Sequence, residues 1–162
     1  IDWSRPNVKF LKEHSGKKGK GMPVVRNIRF YFREGFCWTD VNSTYLKARI
    51  KQKGVFDVLT MTLFSATKIF DFYFVCLINS RFISEYVNDF INSTSHFQIN
   101  DARQLPIIIP DSEQLSRLAD LFRQAVYVQK QKFEAKISNE RADEMLKPIQ
   151  TELDDYVEKM YL

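Results

Sequence analysis

The chain has 162 residues, of which 44% are hydrophobic, and a formal net charge of +4. This size and composition indicate one ordinary folded domain with its own core and exclude a disordered tail. The two cysteines, Cys37 and Cys76, are too few and too isolated for a disulfide framework or a zinc site. No run of 18 apolar residues and no signal sequence with an apolar core occurs, so we expect a cytoplasmic chain that does not insert into a membrane.

Positive charge is concentrated at one end of the chain. Residues 1–53 carry thirteen basic and four acidic side chains, a net charge of +9, whereas residues 54–138 carry eight and nine, and residues 139–162 carry three and seven. The basic block can hold an anionic polymer through contacts to phosphate, which depend on salt and are largely independent of base sequence. Charge alone leaves a merely solvated basic surface as the alternative.

Residues 1–22 have an irregular, polar pattern. Within them the glycine- and lysine-rich residues 15–21 predict a mobile loop. Its side chains Lys17, Lys18 and Lys20 either contact a phosphate backbone or are only solvated. The loop lacks the GxxxxGKS or GxxxxGKT pattern, so it is not a nucleotide-binding P-loop.

The next segments predict a sheet. Apolar and polar residues alternate over residues 24–32, which is typical of a half-buried strand, and Gly35 then marks a turn. Residues 36–41 and 55–64 are rich in β-branched and aromatic residues, with a turn at residues 53–54 between them. We therefore predict a small, mostly antiparallel sheet.

Helical patterns follow. Over residues 68–92 apolar side chains recur at helical spacing, and Asn79-Ser80 is expected to separate two helices. Residues 107–109 predict a short apolar strand, which its flanking prolines confine to a sheet edge or to the first strand position. Asp111 or Ser112 then caps a helix expected to reach about residue 137.

A last amphipathic helix is expected from Glu140 onward, with Pro148 kinking or interrupting it. Two consecutive helices can pack as an antiparallel hairpin, which would either cover the sheet or serve as a spacer. The predicted fold is therefore α+β: a small, mostly antiparallel sheet with packed helices, followed by a C-terminal helical hairpin.

Several short motifs occur in an order that is similar to a known family. The run Gly35-Phe36-Cys37-Trp38-Thr39, then Arg49, then Gly54-Val55-Phe56-Asp57 resembles the target-recognition region of adenine-specific DNA methyltransferases in type IIG restriction-modification and related phage-exclusion systems. The same kind of segment recurs in type I specificity subunits. The motifs that resemble the next part of this region are Leu77-Ile78-Asn79-Ser80, Ile91-Asn92-Ser93-Thr94, Phe97-Gln98-Ile99, Leu105-Pro106-Ile107 and the end from Leu153 to Leu162.

The resemblance implies that residues 1–110 form a DNA target-recognition domain and that residues 111–162 form a helical hairpin or spacer packed on it. The partners implied are double-stranded DNA, a linked adenine N6-methyltransferase domain, and an endonuclease domain or subunit. The fragment would hold no cofactor and would not be an enzyme itself. S-adenosylmethionine would bind in the missing catalytic domain, because the chain has no donor-binding glycine loop and no Asn/Asp-Pro-Pro-aromatic motif.

Specific duplex recognition combines phosphate contacts that position the protein with side chains that read base edges. Trp38 either contacts DNA or packs in the core, and Arg49 either contacts DNA or pairs with Asp40 or Asp57. His96 either meets a phosphate or base edge or satisfies the backbone of its own turn. The candidates for positioning are Lys17, Lys18, Lys20, Arg26, Arg29 and Lys51; those for reading are Arg33, Trp38, Thr39, Asn42, Ser43, Tyr45 and Arg49, with His96 as a further contact.

Parts of the sequence also fit two other functions. The main rival is a protein-interaction module, in which the acidic, helical C-terminal third docks a partner or subunit of a restriction-modification complex. Pro110-Asp111 and Glu134-Ala135-Lys136 also match the loose PD…ExK pattern of metal-dependent nucleases. The expected helix separates these two carboxylates by about 30 Å, too far to share a magnesium ion, so we predict no catalytic or metal site.

Overall fold

A computed structural model of the chain describes residues 2–56, 60–66 and 69–162. The fold is α+β, with a three-stranded antiparallel sheet and a larger number of helices, as the sequence predicts. The middle of the predicted strand over residues 55–64, at 57–59, lies outside the described residues. So does the start of the predicted helix at Lys68.

The sheet has the order β2-β1-β3, with β1 (Gly35–Thr39) between β2 (Ala48–Lys51) and β3 (Thr60–Leu63). Both pairings are antiparallel, so the start of β1 lies beside the ends of β2 and β3. Gly35 begins β1 and does not mark a turn. A Cβ atom at Gly35 would lie 2.5 Å from the carbonyl oxygen of Leu63, so β3 can approach this closely only because position 35 is glycine.

Two predictions for the N-terminal part are wrong. Residues 1–22 are not irregular throughout, because Arg5–His14 forms helix α1 with a proline in its first turn. Residues 24–32 do not form a strand but contain a 3₁₀ turn, Ile28–Phe30. Asn27 and Phe32, at φ 57° and 59°, have left-handed backbone conformations that bend the chain away from extended pairing.

The predicted pair of helices is α2 (Asp71–Ile78) and α3 (Arg81–Tyr86). Ser80 separates them, since its hydroxyl accepts a hydrogen bond from the Ile83 amide at the start of α3. The chain continues as a π-helical turn, Val87–Ile91, and a short helix α4, Ile99–Ala102.

Residues 107–109 do not form the predicted strand. Their segment is fixed by two tyrosine hydroxyls. Tyr73 donates a 2.7 Å hydrogen bond to the Ile108 carbonyl oxygen, and Tyr161 donates a 2.6 Å hydrogen bond to the Pro106 carbonyl oxygen. The backbone groups that a strand would pair are therefore partly used by side chains of two helices.

The last two helices are α5 (Ser112–Phe133) and α6 (Asn139–Tyr161), which pack against each other as a hairpin. Asp111 caps α5, accepting a 2.8 Å hydrogen bond from the Gln114 amide. Helix α6 continues without a break across Pro148, so the proline does not interrupt it.

One buried cluster joins the sheet to the hairpin. It includes Phe36 and Trp38 of β1, Leu77 of α2, Leu118 of α5 and Val157 of α6. Helix α2 contacts β1 and β2 and also α5, and α3 contacts α6, so α5 and α6 cover the helices that pack on the sheet. Within the described ranges, no helix has the length and apolar character needed to cross a membrane.

Candidate nucleic-acid interface

Two exposed arginines lie over a pair of stacked rings beside the start of β1. The rings of Phe30 and Phe64 are 5.1 Å apart at an angle of 16°. The guanidinium carbon of Arg29 is 4.8 Å from the centre of the Phe30 ring, and that of Arg33 is 5.3 Å from the centres of both rings. Cation–π attraction orients these guanidinium groups without neutralising them. We call these four residues the arginine–aromatic shelf.

Lys51 is buried beside the shelf, so the prediction that it contacts a phosphate is wrong. The residue is only 8% exposed. Its Nζ donates to the carbonyl oxygens of Arg33 at 2.9 Å and of Gln52 and Gly54 at 3.0 Å each. These three bonds use all three ammonium protons, so none is left for a phosphate. Lys51 therefore fixes the backbone that carries Arg33.

The lysine loop, residues 15–21, is anchored where it leaves α1. The Ser15 hydroxyl accepts a 2.8 Å hydrogen bond from the Val25 amide and donates one of 3.0 Å to the Val25 carbonyl oxygen. The Gly16 amide also donates to the Pro23 carbonyl oxygen at 3.0 Å. The loop's lysines, Lys17, Lys18 and Lys20, and the following Arg26 are all exposed.

Trp38 belongs to the core, in agreement with one of the two alternatives for it. It is 0% exposed, and its ring centre is 5.4 Å from that of Phe97. Its indole Nε1 donates a 2.8 Å hydrogen bond to the Phe97 carbonyl oxygen. A base cannot reach this side chain in the folded chain, so Trp38 is removed from the set of DNA-reading residues.

A polar corner, made by Asp40, Asn42 and His96, lies where β1 ends. The Nδ1 atom of His96 is 3.0 Å from a carboxylate oxygen of Asp40. The Asn42 side-chain amide donates a 2.9 Å hydrogen bond to the Thr39 carbonyl oxygen, and the backbone amide of Asn42 donates to Ser95 at 2.7 Å. His96 remains exposed, whereas the amide of Asn42 is largely committed to its own turn.

Arg49 projects from β2 between the shelf and the polar corner. It is exposed and donates a 3.3 Å hydrogen bond to the Thr39 hydroxyl. Among the described residues Arg49 forms no ion pair. The carboxylate of Asp40, one of its two predicted partners, contacts the His96 ring instead. The other predicted partner, Asp57, lies outside the described residues. The further reading candidates Ser43 and Tyr45 are exposed in the loop between β1 and β2.

The shelf and the polar corner therefore lie at opposite ends of the central strand. The shelf lies beside the start of β1, and the polar corner follows its end at Thr39. Five residues of an antiparallel strand span about 14 Å between the first and last Cα atoms. This separation is similar to the width of the DNA major groove, about 12 Å.

The nuclease pattern is not assembled. Asp111 and Glu134 flank the two ends of the 22-residue helix α5, about 30 Å apart. In the part of the chain that the structure describes, no three His, Cys, Asp or Glu side chains are placed to hold a metal ion. Burial raises the pKa of the Cys76 thiol to about 12, and burial also raises the pKa of Cys37, so both thiols are poor nucleophiles.

Sequence reasoning missed a basic surface on α1. Its residues Arg5, Lys9 and Lys12 follow one another at steps of four and three, which places them on one helix face beside Trp3. That spacing and the Ser4-Arg5-Pro6 helix start were signals of this face. Because residues 1–22 were predicted to be irregular, this helix face was not recognised from the sequence.

No protein-family model matches this chain, and no curated protein matches its sequence.

Proposed function

We propose that the chain is a sequence-specific double-stranded DNA recognition module of a restriction-modification adenine N6-methyltransferase, a fragment that lacks the catalytic domain. In this proposal the catalytic domain, which binds S-adenosylmethionine, is the linked partner. The ordered motifs from Gly35 to Leu162 that resemble such target-recognition regions support the link to methylation. The argument for DNA contact rests on the described side chains.

The observation that carries the proposal is a concentration of unpaired positive charge. Of the thirteen basic side chains in residues 1–53, only Lys9 has a carboxylate partner among the described residues. The remaining part of the chain differs, because Arg81, Arg117, Arg123, Lys132, Lys136 and Arg141 are all in ion pairs. Exposed cations that lack an internal partner suit the phosphates of a polyanion.

The shelf supports contact with DNA more specifically than net charge does. Within the described residues the guanidinium groups of Arg29 and Arg33 have no hydrogen-bond partner, while the rings of Phe30 and Phe64 fix their positions. A planar guanidinium that is held in place loses less side-chain entropy when it forms paired hydrogen bonds to a phosphate or to the guanine edge. The shelf is therefore better suited to oriented binding than flexible, solvated lysine side chains would be.

Binding to a randomised duplex library at two salt concentrations, followed by sequencing of the retained DNA, tests the proposal. We expect an enriched motif that persists at the higher salt concentration. Retention without enrichment that disappears at the higher salt concentration would reduce the surface to nonspecific binding. The link to methylation predicts N6-methyladenine within the same motif in the source genome.

A groove beside β2 favours a second candidate function, a subunit-docking module. The groove has a volume of about 650 Å³ and lies between β2 and helices α2, α5 and α6. Exposed Phe133 and Ile50 are part of its lining. This function predicts no DNA retention at either salt concentration in the library experiment.

A further inference from the structure

An exposed aromatic pair lies next to the basic face of α1. The rings of Trp3 and Phe32 meet edge to face, with centres 5.5 Å apart, and the residues are 46% and 55% exposed. Hydrogen bonds on both sides hold the Trp3 backbone in place, since the Ser4 amide donates to Asp2 at 2.7 Å and the Asn7 side chain donates to the Asp2 carbonyl oxygen at 2.6 Å.

Phe32 has an unfavourable backbone conformation that burial does not explain. Its φ of 59° lies in the left-handed region, where a bulky aromatic residue is an outlier. Its amide donates a 2.9 Å hydrogen bond to the Gly54 carbonyl oxygen, which holds this conformation. Strain together with an exposed ring is a combination that ligand contact can offset, and it occurs preferentially at functional sites.

Trp3 also lines a shallow depression of about 420 Å³ on α1, together with Arg5, Val8, Lys9, Lys12 and Glu13. Lys9 and Glu13 are 3.8 Å apart and partly neutralise each other. Arg5 and Lys12 have no carboxylate partner in the described ranges, so the depression keeps a net positive charge. An aromatic wall and unpaired cations together match the two parts of a nucleotide, the base and the phosphate.

We propose that this depression, with the Trp3–Phe32 pair, binds one unstacked nucleotide of the DNA. The base packs against the aromatic pair, and its phosphate accepts hydrogen bonds from Arg5 and Lys12. This site rests on the proposed function, because it deepens duplex recognition by adding a distorted position to the bound DNA. Single-stranded DNA offers the same chemistry without the energetic cost of unstacking a duplex.

The test uses the 162-residue chain with randomised 20-nucleotide single strands and duplexes. The Phe32→Gly variant removes the ring and relieves the left-handed strain, so its melting temperature should equal or exceed that of the original chain. Its affinity for single strands should nevertheless fall about tenfold, as expected for one lost stacking contact. Phe133→Ala is the matched control, because Phe133 is 86% exposed and is the last residue of α5.

Tryptophan emission gives a second measurement, since the chain has two tryptophans and only Trp3 is exposed. Single-stranded DNA should quench the emission, and Trp3→Leu should remove the quenching. Unchanged affinity in Phe32→Gly, or unchanged emission at saturation, overturns this site. If the nucleotide site is overturned but substitution of Lys17, Lys18 and Lys20 still weakens duplex binding, the proposed function stands. If the chain binds no DNA, the nucleotide site and the proposed function are both wrong.

Discussion

Replacing the three lysines of the lysine loop with glutamine tests whether DNA binds at the N-terminal basic surface. Lys17, Lys18 and Lys20 are exposed, and no carboxylate pairs with them within the described residues. Their substitution therefore breaks no internal ion pair. We expect the melting temperature to stay the same, while the salt dependence of DNA binding becomes weaker.

The magnitude follows from the number of phosphate contacts. The lysine loop, Arg26 and the shelf together contain six exposed cations, none of which has a carboxylate partner among the described residues. If each neutralises one phosphate, the slope of log K against log salt is about −5.4, and affinity falls about 2,000-fold between 50 and 200 mM salt. With three contacts removed the slope is about −2.7, and the same change of salt lowers affinity only about 40-fold.

Fluorescence anisotropy of a labelled duplex, titrated at four salt concentrations, measures this slope. The control carries Lys130→Gln, Lys147→Gln and Lys159→Gln, which remove the same charge from exposed lysines of α5 and α6 that form no ion pair in the described structure. We expect the control to keep the original slope. Equal slopes in both triple variants would refute the assignment of binding to the N-terminal surface, because net charge alone would then set the affinity.

Three further predictions concern stability. Trp38→Phe leaves the buried Phe97 carbonyl oxygen without its donor, so the free energy of unfolding from urea titration should fall by about 1–3 kcal/mol; no loss would contradict the buried hydrogen bond. Gly35→Ala places a Cβ atom 2.5 Å from a backbone oxygen of β3 and should cost about 1–3 kcal/mol, whereas Gly54→Ala, with its nearest atom at 3.8 Å, should cost less than half as much in the same assay. Burial raises the pKa of the Cys76 thiol to about 12 in the folded state, whereas a thiol in the unfolded chain ionises near pH 8.5. Above pH 8.5 the unfolded state therefore binds fewer protons than the folded state, and rising pH favours unfolding. The free energy of unfolding should therefore fall with rising pH more steeply than in Cys76→Ala, by up to about 1.4 kcal/mol per pH unit, and equal slopes between pH 9 and 10.5 would show that the thiol is not protected.

The helical half of the fold could be predicted because its signals are local. Apolar residues at helical spacing and the capping residues Ser80 and Asp111 identify helices from short windows of sequence. The prediction of a strand over residues 24–32 is wrong, because apolar and polar residues alternate there but the segment does not pair with another strand among the described residues. Asn27 and Phe32 adopt left-handed conformations, and a sequence pattern does not reveal these in residues other than glycine.

The candidate site was predicted in part, for a related reason. The charge pattern predicts a candidate binding surface in the N-terminal third, but composition could not distinguish a cation that faces solvent from one that supports the backbone. Lys51 lies opposite Gly35 across the sheet, and its ammonium group donates to three carbonyl oxygens of the neighbouring backbone. Such a role depends on strand register, which the sequence did not supply.

The distribution of charge also constrains how DNA can approach. The C-terminal helix α6 lies in the segment with three basic and seven acidic side chains, so this helix repels phosphates, whereas the cations of the lysine loop and the shelf attract them. Within that surface Arg49, paired across the sheet with Cys37, lies midway along β1 between the shelf and the polar corner. If the shelf and the polar corner contact the two sides of a major groove, Arg49 is the side chain that faces its floor. Contacts of the shelf would then set affinity for every sequence, and Arg49 would determine which base pair is preferred.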